Sequence, residues 1–135
     1  MARFIISLVT AALLATGIAL PAAAELRLVM FEEKGCTYCE MWDRQIAPIY
    51  PKTPEGRAAP LQRVDVNATV PADLRLESRP RFTPTFVLVR DGVELGRVEG
   101  YPGEAFFWGL LGMMLTERAG VSLTPAQEQK IAADG

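Results

Sequence analysis

Leu26-Arg27-Leu28-Val29-Met30-Phe31, then Glu32-Glu33-Lys34-Gly35, then Cys36-Thr37-Tyr38-Cys39: on this stretch turns the reading of the 135-residue chain. The first six residues are mostly apolar around a β-branched Val29, as a largely buried strand requires. The next four break that pattern. A helix is predicted over 36–50, because Cys39, Trp42, Ile46, Ile49 and Tyr50 recur on one face at helical spacing. Pro48 lies inside it and predicts a kink or an end there.

Two thiols three residues apart thus fall at a strand-to-helix junction. Positions i and i+3 share a helix face, so the sulfurs can bond reversibly. At a helix N-terminus, unpaired N–H groups and the positive end of the dipole stabilise a thiolate. The thiolate is the attacking species, which makes Cys36 the candidate nucleophile. Cys39, one turn further in, is expected to be less accessible and to resolve a mixed disulfide by attacking Cys36. Neither Thr37 nor Tyr38 is proline, so both keep an N–H that can aim at the Cys36 sulfur. Lys34 favours the thiolate and Glu32 and Glu33 oppose it, although all three also fit a solvated loop.

Composition narrows the alternatives. The chain has no histidine, which removes Ser-His-Asp and Cys-His catalysis and every His-ligated metal or haem. Two cysteines are too few for a four-cysteine zinc or iron–sulfur site within one chain. A structural bridge between Cys36 and Cys39 would close a very short loop and stabilise little. A metal site would need thiolates from a second chain or a linear two-thiolate copper(I) centre. The net charge of −2 and the lack of a Lys/Arg run argue against nucleic-acid binding.

N-terminal to the strand, Arg3 precedes an apolar run over 4–20 that closes on Pro21-Ala22-Ala23-Ala24. This is the pattern of a signal peptide, expected to be cut after Ala24, with an uncleaved anchor as the alternative. A short Ala-rich signal points to a bacterial periplasm. Removing 1–24 takes away one positive charge, leaving a formal charge near −3 and one domain over 25–135.

C-terminal to the helix, Pro51, Pro54, Gly56 and Pro60 mark 51–62 as a loop. Short strands are predicted over 64–67, 85–90 and 93–98, and a weaker helix over 71–79 behind Pro71. Asp91-Gly92 is a two-residue hairpin turn. Beyond Gly100 and Gly103, Phe107, Leu110, Leu111 and Met114 predict a last long helix. Phe106, Phe107, Trp108, Met113 and Met114 are expected to pack in the core, with Gly109 and Gly112 allowing close approach to the sheet. Thr124-Pro125-Ala126-Gln127 resembles a capping box opening a short terminal helix. The order is β-α-β-α-β-β-α, an α/β fold with a parallel unit and an antiparallel hairpin edge.

These residues resemble the thioredoxin superfamily over 26–115. Cys36-Thr37-Tyr38-Cys39 and Thr83-Pro84-Thr85 carry the likeness. The resemblance implies that Pro84 is a cis-proline facing the cysteine pair, and that Thr83 offers its backbone to an extended substrate segment. Thr37 and Tyr38 would complete the substrate-binding surface. The mature chain begins almost at the first strand above, so the layout is nearer to a minimal, glutaredoxin-sized core. Gly35 stands where thioredoxins usually have Trp. Met30 stands where they bury an acid below the second cysteine, which leaves water or Glu32 as proton acceptor for Cys39. Thr before the cis-proline is similar to periplasmic isomerases and reductases.

Within the superfamily, the chain resembles the small periplasmic SoxS-like thioredoxins of bacterial sulfur-oxidation systems. The resemblance implies reduction of disulfides or cysteine adducts on partner proteins, electrons from a membrane thiol transporter, and no cofactor. No dimerisation domain is visible, so a monomer is expected. Oxidation or isomerisation of disulfides is the competing reading, since direction depends on potential relative to partners. A copper(I)-binding module is the third.

Overall fold

A computed structural model describes residues 24–123. Residues 1–23 of the expected signal peptide and the terminal helix opened by Thr124 fall outside them. Four strands form one sheet: β1 (Leu26–Glu32), β2 (Leu61–Asp65), β3 (Thr85–Arg90) and β4 (Val93–Glu99), in the order β2-β1-β3-β4. Three helices accompany it: α1 (Thr37–Gln45), α2 (Pro54–Ala58) and α3 (Glu104–Met113). This is the thioredoxin-like α/β arrangement. No helix among the described residues is long and apolar enough to cross a membrane.

β1 is central, parallel to β2 and antiparallel to β3. Its alternating side chains divide the core in two. Leu28 and Met30 join Cys39, Trp42, Phe86 and Phe107 on the face carrying α1 and α3. Val29 and Phe31 join Val64, Val87 and Val89 on the other face. Burial on both sides explains why β1 and β3 read as nearly continuous apolar runs.

The Asp91-Gly92 turn forms as predicted, with φ of 49° and 79°. Both residues are left-handed, as the turn matching the twist of a two-residue hairpin demands. Past it, Val89 pairs with Glu94 but Leu88 pairs with Gly96, so Leu95 is an extra, bulged residue. The bulge breaks the in–out alternation of a regular strand in β4. Val93 is exposed and the Glu94 side chain is 1% exposed.

Glu94 is held by Arg97 at 2.6 Å and accepts the Glu77 N–H at 2.8 Å. Burial alone would raise its pKa. The Arg97 hydrogen bonds and the Glu77 N–H outweigh that and hold it below the usual carboxylate range. A carboxyl lowered on folding stabilises the native state above its unfolded pKa, and this is lost as pH falls through the lowered value. Glu94→Gln is therefore expected to cost about 2 kcal/mol at pH 7. The difference from the parent should shrink well below about pH 4. Urea unfolding of both proteins at pH 7 and pH 3 checks this.

Other predicted elements are corrected. The helix expected over 36–50 stops at Gln45, before Pro48, and resumes only as a 3-10 turn, Tyr50–Lys52. Ile49, expected on the buried face, is exposed. The 51–62 loop contains α2. Thr53 caps it by accepting the Gly56 N–H at 3.0 Å, and Pro54 fills its first turn. A side chain at Gly56 would stand 1.8 Å from the Tyr50 carbonyl oxygen, so only glycine fits. β2 begins at Leu61, opposite Leu28, earlier than the predicted 64–67.

The helix expected over 71–79 does not form. Leu74 and Leu76, two residues apart, both pack on the second face of the sheet, which calls for extended chain. Arg75 between them bridges to Val93, donating its N–H to the Gly92 carbonyl at 2.8 Å and accepting the Glu94 N–H at 3.1 Å.

α3 buries Phe107 and Leu111, but Phe106 and Met113 are exposed rather than in the core. A side chain added at Gly109 would meet no other part of the protein within 4 Å, so Gly109 provides no close approach to the sheet. At Gly112, an added side chain would meet only Leu123, at 3.9 Å. The tight contact lies on the sheet instead: a side chain at Gly96 would stand 3.2 Å from the Met114 Sδ.

Candidate active site

β1 runs out at Glu32, and Gly35, with φ of +81°, turns the chain into α1. Such a left-handed residue favours glycine. Cys36 is the N-cap of α1, with extended backbone, and its Sγ accepts the Cys39 N–H at 3.1 Å. One orphan donor of the helix start is thus aimed at the sulfur. The expectation had placed this on the N–H groups of Thr37 or Tyr38. The capping geometry selects the third residue of the turn. Cys36 and Cys39 are joined by a disulfide, with Cα atoms 5.2 Å apart. Cys36 is 8% exposed and Cys39 3%, in the order expected of an outer and an inner sulfur.

The Thr83–Pro84 peptide bond is cis. Two connections bring this loop to the cysteine loop. The Thr83 hydroxyl donates to Glu33 Oε1 at 2.9 Å, and Cys36 N–H donates to the Glu33 carbonyl at 3.3 Å. On the other side, Gly100 N–H donates to the Pro84 carbonyl at 2.7 Å, and Gly100 lines a shallow depression with Tyr38, Tyr101 and Pro102. Tyr38 is 57% exposed and Phe82, just before Thr83, is 62% exposed. Thr37 is exposed and Pro84 buried. The four predicted substrate-contact positions thus lie on the first turn of α1 (Thr37, Tyr38) and on the loop before β3 (Thr83, Pro84).

Behind the disulfide, Cys39 borders an open cavity of about 420 Å³. Arg63, from β2, reaches across it to Glu32 at 2.6 Å and to Asp43 of α1 at 2.6 Å. Its guanidinium lies 5.6 Å from the Trp42 ring centre. Burial alone would lower the Arg63 pKa, but Asp43 and Glu32 outweigh it and hold it above its usual value. Among the described residues, no group of three or more His, Cys, Asp or Glu is placed to hold a metal ion.

Several of these residues escaped the sequence reading. Glu33 is not merely solvated loop, and its partner Thr83 is 50 residues away. Arg63 and Asp43 are 20 residues apart, and Arg63 and Glu32 are 31. No local pattern marks such pairs. Phe82 was legible only as an apolar residue flanked by Arg81 and Thr83.

No protein-family model matches the chain, and no curated protein matches it significantly. Among solved structures, the chain is similar to the crystal structure of the periplasmic thioredoxin SoxS from Paracoccus pantotrophus, in its reduced form. The two share 56% identity with a TM-score of 0.66, over 67% of this chain and 96% of that one.

Proposed function

The chain belongs to the thioredoxin superfamily, in its SoxS-like branch, and we propose that it is a periplasmic reductase of disulfides or cysteine adducts on partner proteins. Thiol–disulfide oxidoreductase activity follows from the family and from a CxxC pair at bonding distance. The direction, the partners and the residue roles are the proposal. The residue roles rest on the Cys39 N–H held against the Sγ of a helix-capping Cys36, and the direction and partners on the likeness to a periplasmic thioredoxin. A donor in that position stabilises negative charge on Cys36 and makes it the better nucleophile and leaving group.

In the proposed cycle the Cys36 thiolate attacks a partner disulfide. An S–S bond forms between Cys36 and one partner sulfur, and the other partner sulfur leaves as a thiolate. The Cys39 thiolate then attacks Cys36. The Cys36–Cys39 bond forms, the second partner sulfur departs, and the partner is reduced by two electrons. Re-reduction requires a dithiol donor, which we assign to a membrane thiol transporter. Thr83, with its hydroxyl turned to Glu33, offers its main chain to an extended substrate segment, flanked by Pro84, Thr37 and Tyr38. Residues 1–24 are proposed as the export signal, cut after Ala24, and the exported protein as a monomer.

Reduced Cys39→Ser protein mixed with a disulfide-bearing protein such as insulin is expected to accumulate a mixed disulfide. Peptide mapping should place it at Cys36. Adducts at no site, with Cys36 shown to react with a small alkylating agent, would sink the proposal.

A further inference from the structure

Cys39 must lose a proton before it can resolve the mixed disulfide, and it is 3% exposed. An apolar environment disfavours the thiolate. The side chains packed with it in the core, Met30 and Trp42 among them, carry no proton-accepting group. Its polar outlet is the cavity of about 420 Å³ that it borders.

The charged groups facing that cavity come from three elements. The end of β1 and its loop contribute Glu32, Glu33 and Lys34; α1 contributes Glu40 and Asp43; β2 contributes Arg63 and Asp65. They are not equivalent. Glu33 is bonded to Thr83, and Asp65 accepts the Asn67 N–H at 2.8 Å. Glu40 is exposed and Lys34 is a cation. Glu32 and Asp43 are partly buried and fixed from both sides of the cavity by one guanidinium. The cavity is wide enough for water to bridge from Cys39 to them.

We propose that Glu32 and Asp43, held in place by Arg63, receive through water the proton that Cys39 gives up when it resolves the mixed disulfide. This rests on the proposed roles of Cys36 and Cys39. The proton leaves the Cys39 thiol for a cavity carboxylate as the Cys39 sulfur attacks Cys36. The Cys36–partner bond breaks, and the departing partner thiolate takes up a proton from the same carboxylate or from solvent. Arg63 is a positioning residue: its two ion pairs keep both carboxylates turned to the cavity.

The test separates the two chemical steps, with insulin as the disulfide. Adduct formation is timed in the Cys39→Ser background with and without Glu32→Gln and Asp43→Asn. It is expected to be unchanged within about twofold, because Cys36 does not use the cavity. Release is timed in single turnovers with Cys39 intact, between pH 6 and pH 9. In the double variant it is expected to slow at least about a hundredfold at pH 6–7, the low end of the usual range for a lost general base. The gap should narrow as pH rises toward 9, where hydroxide increasingly replaces the carboxylates as proton acceptor. Arg63→Met should move the release profile to higher pH, and Arg63→Lys should largely restore it. Release profiles that superimpose on the parent would overturn the proposal, as would equal slowing of both steps at every pH. Absence of any adduct in Cys39→Ser would instead refute the roles of the two cysteines on which it rests.

Discussion

Cys36→Ser is expected to lose disulfide-reducing turnover by about 10³-fold or more, as removal of a nucleophile does in enzymes that act through covalent intermediates. The fold should hardly notice. Cys36 is the N-cap of α1, where its side chain accepts the Cys39 N–H. Serine is among the best residues at that position, and its hydroxyl can accept the same bond. A serine hydroxyl is a poor nucleophile without a general base, and the chain has no histidine to serve as one. The disulfide itself closes only a short loop, so losing it costs little stability. Insulin reduction and thermal unfolding, measured on one preparation, therefore separate chemistry from folding. A variant that folds and still turns over would remove Cys36 from the mechanism.

Trp42→Ala should have the opposite profile, with its main effect on stability. Trp42 is fully buried on α1, one turn beyond Cys39. Its ring lies 5.3 Å from Phe86, 5.7 Å from Phe107 and 6.1 Å from Tyr50, centre to centre. It therefore joins α1, β3, α3 and the turn after α1 in one aromatic cluster. Truncating such a side chain costs about 3–5 kcal/mol, through lost burial and the cavity left behind. For a domain of this size that is a fall in Tm of more than about 10 °C. Trp42→Phe should cost clearly less, since a phenyl ring fills part of the space. Arg63 also loses the ring beneath it, so the cavity behind Cys39 should loosen together with the core. A Trp42→Ala protein as stable as the parent would mean that this cluster does not hold α1 to the sheet.

What could be read from the chain was what local chemistry decides. β1 and β3 are apolar on both faces. Asp91-Gly92 accepts left-handed backbone. Cys36 opens a helix behind Gly35, and Pro48 stands just beyond the helix end. Each depends on residues within one or two turns of one another. α2 was also legible, since Thr53-Pro54 is a cap followed by a first-turn proline, but the surrounding prolines and Gly56 pointed to a loop.

The segment over 71–79 failed for a different reason. Its leucines pack on a sheet face, and its backbone bonds go to Gly92 and Glu94 from the hairpin. Tertiary partners override a weak local preference. The bulge at Leu95, the exposure of Phe106 and Met113, and the ties from Glu33 to Thr83 and from Arg63 to Glu32 and Asp43 are all set by strand register and long-range contact. The reacting sulfurs were thus legible, whereas the groups that orient the opposite loop and line the cavity behind them were not.

The central claim is that the Cys36–Cys39 dithiol works as a reductant. The most direct test is its reduction potential, measured by equilibrating the protein with glutathione buffers and following the Cys36–Cys39 disulfide by thiol trapping. The account predicts a value below about −200 mV, among the glutaredoxins and thioredoxin. A value near about −120 mV, that of a strong periplasmic oxidant, would contradict it and make the protein a donor of disulfides.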